Sequence, residues 1–270
     1  MAITAYNPIL YLWKNRTLFI GSHEEPLDIS TGAATLMFAL EKPFRFMTND
    51  MSIAVECRSL LLPAGTSVML DTQGGIIASG TLDPFGEDLS LLKGLMTHSI
   101  NNAFYQLKNE RECIAILQTI SSYPLGSYEL FKSLIQKLRQ KHGVQTTHFV
   151  DSRIERVIDI IQNSISENLL LSDLESVANL SPSRLTELFK QQTGLPIRRY
   201  RLWYRIYVTV LKVGQGKTLT DAAAEAGFTD SSHFIRTFRS MLGTAPRCIF
   251  SQAQPLKIIL PPHRDNILSN

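Results

Sequence analysis

Within GFTDSSHFIRTFRSMLGTAP (Gly227–Pro246), Ser232, Ile235, Arg236 and Arg239 recur at steps of three and four, the spacing that lines residues along one helix face. Phe234 and Phe238, four apart, claim the opposite side. Upstream, LSPSRLTELFKQQTG (Leu180–Gly194) sets Ser183, Thr186, Glu187 and Lys190 against Leu185 and Phe189 in the same way. Hydroxyls, a carboxylate, an arginine and a branched aliphatic suit base edges in a DNA groove. Arg236 matches guanine, Glu187 a cytosine amine, and Thr186 and Ile235 a thymine methyl. His233, one step round the helix, falls nearer a sugar-phosphate backbone. No Ser/His/Asp or Cys/His constellation accompanies these residues, so no catalytic group is assigned and no enzyme activity is expected.

The elements that must carry these faces are two copies of one pattern about 48 residues apart. Ser172 and Thr220 read as helix caps, each followed by Asp. Asn179 and Gly227 tolerate a left-handed corner, and Ala178 and Ala226 let two short helices approach closely. Gly194 and Gly243 end each second helix, with Pro196 and Pro246 just beyond. This is a helix-turn-helix, twice. Between the copies IRRYRLWYRIYVTVLKVGQGK reads as one long helix, in which Tyr200, Trp203, Tyr204 and Tyr207 form a core face. Arg198, Arg201 and Arg205 form another face, assigned to phosphate contacts together with His233; Arg199 is left unassigned. Asp151 reads as the cap of a preceding helix, SRIERVIDIIQN.

Charge supports the same reading. The net of +3 divides into 12 Lys and Arg against 13 Asp and Glu in residues 1–150, and 15 against 11 in residues 151–270. A basic excess confined to one half points to a polyanion partner.

The first ninety residues read instead as short strands bounded by Gly, Pro, Asp and Asn: TLFIGSH, ATLMFAL, MSIAVECRSLLL, SVMLDT and GIIASGTL. From Leu89 the spacing becomes helical, in ERECIAILQTI and in SYELFKSLIQKLRQKH. The stripe of Leu130, Phe131, Leu134, Ile135 and Leu138 suits either packing on its own barrel or the seam of a homodimer. GVQTTH (143–148) reads as a linker. If a small molecule enters the barrel, Phe44, Phe46, Met37 and Met69 are candidate walls and Arg45 and Arg58 candidate anion anchors; each also reads as ordinary core or surface. Cys57, Cys113 and Cys248 are scattered without metal spacing, and the remaining histidines form no cluster, so no cofactor or metal is expected. No apolar run reaches 18 residues and the N-terminal stretch lacks an export pattern, so a cytoplasmic protein without membrane contact is expected.

The paired motifs resemble the DNA-binding domain of the AraC/XylS family of bacterial transcription regulators over about Asp151–Phe250. SLLLPAGTSVMLDTQGGIIASGTLDP (Ser59–Pro84) more distantly resembles that family's cupin-like N-terminal domain. The resemblance implies an α+β chain with a cupin-like β-barrel and flanking helices, followed by an all-α domain of two helix-turn-helix motifs joined by a linker helix. The expected boundaries are 1–148 (barrel to about 88, helices about 89–142), 151–250, and a tail at 251–270. It also implies a monomeric unit with two recognition helices in successive major grooves on one face of double-stranded promoter DNA; RNA polymerase is an expected partner and a small-molecule effector the expected signal, and whether the chain acts as activator or repressor stays open. Control by a partner protein stays open, and a cupin enzyme fused to a DNA reader lacks the ligands it would need. One departure is that PRCIF supplies Phe250 after Pro246 but no following Arg.

Overall fold

In the computed structural model the described residues are 7–13, 16–82, 88–122, 134, 151–250 and 255–260. Twelve strands among them form two sheets. The larger runs β10-β11-β7-β4-β9-β2-β1-β12, and the smaller β3-β8-β5-β6. In chain order these are β1 Ile9–Trp13, β2 Arg16–Ser22, β3 Leu27–Ser30, β4 Thr35–Ala39, β5 Phe44–Met47, β6 Val55–Cys57, β7 Ser59–Leu62, β8 Ser67–Asp71, β9 Ile76–Thr81, β10 Met96–Ile100, β11 Ala103–Leu107 and β12 Lys257–Ile259.

The apolar runs follow from a large sheet that is covered on both faces. In β4 (TLMFA, buried throughout) Met37 and Ala39 turn inward to meet Phe44, Phe46 and Leu70 of the small sheet. Leu36 and Phe38 turn outward into a second core, under α1 (Asp88–Leu95) and α2 (Glu110–Ser122), beside Leu92, Leu117 and Ile120. A strand buried on both faces loses the alternation that marks a half-exposed one. β3 and β5, buried only on alternate residues, cover the inner face only.

The strand segments read from sequence are present. MSIAVECRSLLL breaks into β6 and β7, and β1, β3 and β5 are additional. The helical reading from Leu89 needs correcting at 96–107, where β10 and β11 pair antiparallel; Asn101 and Asn102 take the positive φ values of a tight hairpin corner. The stripe at 130–138 and the GVQTTH segment lie outside the described residues except Leu134, which is buried in the core beneath α1 and α2.

The C-terminal half is helical: α3 Ser152–Asn163, α4 Leu171–Ala178, α5 Pro182–Thr193, α6 Ile197–Gly214, α7 Leu219–Glu225, α8 Ser231–Leu242 and α9 Pro246–Ile249. Asp151 caps α3 by accepting from the Arg153 amide at 3.0 Å. The expected caps Ser172 and Thr220 fall inside their helices. The cap positions are Leu170, whose amide donates to Asp173 at 2.9 Å, and Thr218, whose hydroxyl accepts from the Asp221 amide at 3.2 Å.

Two features join the halves. Residues 257–259, expected in a tail, form β12 and pair in parallel with Ile9–Tyr11 at the edge of the large sheet. The barrel also packs directly on α6 and α8. Tyr207 donates to the Trp13 carbonyl at 2.8 Å, and Arg199 donates to the Ser30 carbonyl at 2.8 Å and its hydroxyl at 2.7 Å. Gly32 lies flat on Trp203, where a Cβ would fall 2.5 Å from the indole Cδ1.

Candidate nucleic-acid interface

Each helix pair is held by a left-handed corner and an aromatic wedge. Asn179 has φ 51° and Gly227 φ 89°, which turn the chain from α4 into α5 and from α7 into α8. Ala178 and Ala226 are fully buried at the crossing, and Leu185 and Phe189, like Phe234 and Phe238, seat the second helix on the first. Phe228 meets Phe234 edge-on at 5.2 Å. Gly194 and Gly243 end α5 and α8 with φ 78° and 73°.

With those positions buried, every proposed base reader is outside. Ser183, Thr186, Glu187 and Lys190 on α5, and Ser232, Ile235, Arg236 and Arg239 on α8, are all exposed. Ile235 is 46% exposed, unusual for a large aliphatic side chain on a well-packed helix. On α5, Glu187 pairs with Arg184 at 2.9 Å and the Thr186 hydroxyl donates back to the Pro182 carbonyl at 2.7 Å. On α8, the acids nearest Arg236 in sequence have other principal partners, although the Arg236 charge also helps to lower the Asp230 pKa. Glu225 is ion-paired to Lys212 and Lys217, which hold its carboxyl below the usual range. Asp230 accepts from the His233 amide at 2.7 Å, its chief reason for a lowered pKa.

The linker helix divides its arginines in a way that spacing alone does not reveal. Arg198 is exposed and lines the clefts between the modules with His233; one cleft includes Thr186 and the other Arg236. His233 packs edge-on against Phe228, with Nδ1 3.2 Å from the Thr229 hydroxyl. Arg201 and Arg205 turn instead onto the loop after α3. Arg201 donates to the carbonyls of Leu169 at 2.8 Å and Glu167 at 3.1 Å, and Arg205 to Ile165 at 3.1 Å. Burial lowers both guanidinium pKa values. These bonds tie the loop to α6 and take up part of each guanidinium; Arg201 and Arg205 are half-buried and line the same cleft as Arg198 and His233. Opposite them Tyr200, Trp203, Tyr204 and Tyr207 form the expected buried face, Tyr204 and Tyr207 stacking at 5.5 Å.

The barrel residues named as ligand contacts mostly fall elsewhere. Arg45 pairs with Glu56 at 3.1 Å on the surface, Arg58 donates to the Glu41 carbonyl, and Met69 is 51% exposed. Phe44 and Phe46 fill the core between the sheets. Met37 alone of the six lines the cavity under α6 and α8. That cavity was not legible from sequence, since its walls come from strands and helices some 200 residues apart. Among the described residues no group of His, Cys, Asp and Glu could hold a metal, and no helix is long and apolar enough to cross a membrane.

Comparison with known proteins bears on the helical half and on the fold. A helix-turn-helix domain model matches residues 174–252. The chain is 30% identical over 132 residues to the HTH-type transcriptional activator RhaS of Enterobacter sp. (strain 638), covering 48% of each chain. It is 26% identical over 120 residues to the Msm operon regulatory protein of Streptococcus mutans, 44% of this chain and 43% of that one. The matched stretch thus spans about half the length of these curated relatives. In fold, the chain is similar to the crystal structure of ToxT from Vibrio cholerae O395, with TM-score 0.58 and 14% identity over 87% of this chain and 96% of that one. ToxT of V. cholerae strain SCE256, described as bound to an unsaturated fatty acid, aligns with TM-score 0.57 and 12% identity over 86% and 92%.

Proposed function

We propose that this chain, which carries an AraC-type helix-turn-helix domain in its C-terminal half, is a DNA-binding transcription regulator whose α5 and α8 enter successive major grooves on one face of promoter DNA. The observation that carries the reading is the pair of outward faces on α5 and α8, built on matching corners and joined by α6. An 18-residue helix is about 27 Å long, close to the ~34 Å between successive major grooves once the helix widths are added. Arg198 and His233, in the clefts between the modules, are placed to meet the intervening phosphates.

The relatives named as a transcriptional activator and an operon regulatory protein support a role in transcription regulation; in this reading the helical half acts with RNA polymerase and the barrel is a sensor and not an enzyme. That the structural neighbour is bound to a fatty acid supports control of this chain by a small molecule, which the reading assigns to the N-terminal half. Hydroxyl-radical footprinting of the full chain on a selected site tests the reading. Two protected segments about one helical turn apart on one DNA face are expected. A single protected segment, or none on any sequence, would overturn it.

A further inference from the structure

A cavity of about 150 Å³ lies where the inner face of the barrel meets the helices. The alternation of β9 turns Ile77, Ser79 and Thr81 into it, and β4 contributes Thr35 and Met37. Its far wall is Trp203 and Tyr207 of α6 with Phe238 and Met241 of α8. The lining is apolar, and among the described residues that form it there is no Lys, Arg, Asp or Glu.

Its polar groups are largely committed to the protein. The Thr17 and Thr81 hydroxyls bond each other at 2.9 Å, Thr35 donates to the Ala33 carbonyl at 3.0 Å and Thr31 to Pro63 at 2.7 Å. Tyr207 donates to Trp13. The remaining titratable wall residue is His23, stacked on Phe19, and burial lowers its pKa to about 4, so it carries no charge at neutral pH. A carboxylate placed here would be desolvated with no cation among the described lining residues to pair with, which costs several kcal/mol. Size narrows the guest further. Drug-sized ligands occupy roughly 300–1,000 Å³, whereas dry apolar cavities of roughly 150 Å³ hold a guest the size of benzene.

We propose that this cavity is the effector site and takes an uncharged apolar molecule about the size of one aromatic ring, not an anionic lipid. The inference rests on the sensing half of the proposed function and specifies its ligand class. Occupancy reaches DNA binding through shared residues: Phe238 and Met241 line the cavity and also seat α8, whose other face carries Arg236. A guest that fills the void stiffens the back of that helix.

Thermal melting of the full chain without DNA separates this inference from the DNA-binding reading, which footprinting tests alone. Toluene at saturation is expected to raise the melting midpoint by a few degrees, while benzoate and palmitate bind at least tenfold more weakly. Ser79→Leu, which fills the void, should abolish the toluene shift while keeping the helical circular dichroism. Met37→Ala, which enlarges the void, should extend binding to naphthalene, and it decides the matter if the Leu variant does not fold. No toluene response in the wild type, benzoate or palmitate binding as tightly as toluene, a toluene shift that survives in a folded Ser79→Leu variant, or no gain of naphthalene binding in Met37→Ala would overturn the proposal.

Discussion

At the scale of single residues, side chains that look equivalent by spacing do different work because their environments differ. Arg198 and Arg201 sit three apart on one helix and line one cleft with His233, yet the first is exposed and the second is half-buried and holds two loop carbonyls. Arg198→Ala should reduce the salt dependence of DNA binding by about one unit of slope and leave the melting temperature alone. Arg201→Ala should in addition lower the melting temperature, costing about 1 to 2 kcal/mol of stability by orphaning its carbonyl partners. Equal slopes for Arg198→Ala and wild type would remove Arg198 from the phosphate contacts. His23 offers a second test. Its folded pKa is depressed from 6.5 to about 4 by burial, so between those values the unfolded chain binds the extra proton. Its contribution is therefore complete above about pH 6.5 and is lost as pH falls toward 4. Asp151, held near 2 by its bonds to Arg153, loses its contribution only below that window. Urea midpoints should decline from pH 6.5 to 4 in wild type and less steeply in His23→Gln; parallel declines would contradict the assignment.

At the scale of elements, the helix pairs were legible because their information is local. A corner that needs a left-handed residue, a glycine stop and an aromatic pair four apart all fall within about twenty residues, and each appears where the pattern put it. The caps were misplaced by two residues because Ser172 and Thr220 carry the right side chains just inside the helices, whereas Leu170 caps through its backbone amide. The β10–β11 hairpin was missed since its exposed residues, such as His98 and Ser99, break the apolar alternation a strand usually shows. Gly227 tests the corner itself. At φ 89° an alanine is strained, and its Cβ would stand 2.9 Å from the Ile165 carbonyl. Gly227→Ala should cost roughly 1 to 3 kcal/mol, read as a lower urea midpoint, while Asn179→Gly should be nearly neutral. A neutral Gly227→Ala would mean that the corner is not constrained.

At the scale of the whole molecule, the chain is two readable halves joined by contacts that no local pattern announces. The return of β12 to β1, the Arg199 bonds to Ser30 and the Gly32–Trp203 contact all link residues far apart in sequence. Gly32→Ala should pry the barrel from α6, which would shift tryptophan emission to the red and raise hydrogen exchange in β1 and β12, with DNA affinity of the helical half retained. Unchanged emission and exchange would show that the two halves do not depend on this contact.

The central claim, that α5 and α8 each read a separate stretch of base edges, is tested most directly by selecting sites from random DNA with wild type, Glu187→Ala and Arg236→Ala. An arginine bound to guanine through two hydrogen bonds discriminates by about 1 to 3 kcal/mol, and a phosphate contact by almost nothing. The account predicts that Glu187→Ala relaxes one or two base pairs in one half of the site. Arg236→Ala should relax one or two in the other half, about ten base pairs away, with non-specific affinity preserved in both. Preferences unchanged in both variants, or altered at the same base pairs, would contradict it.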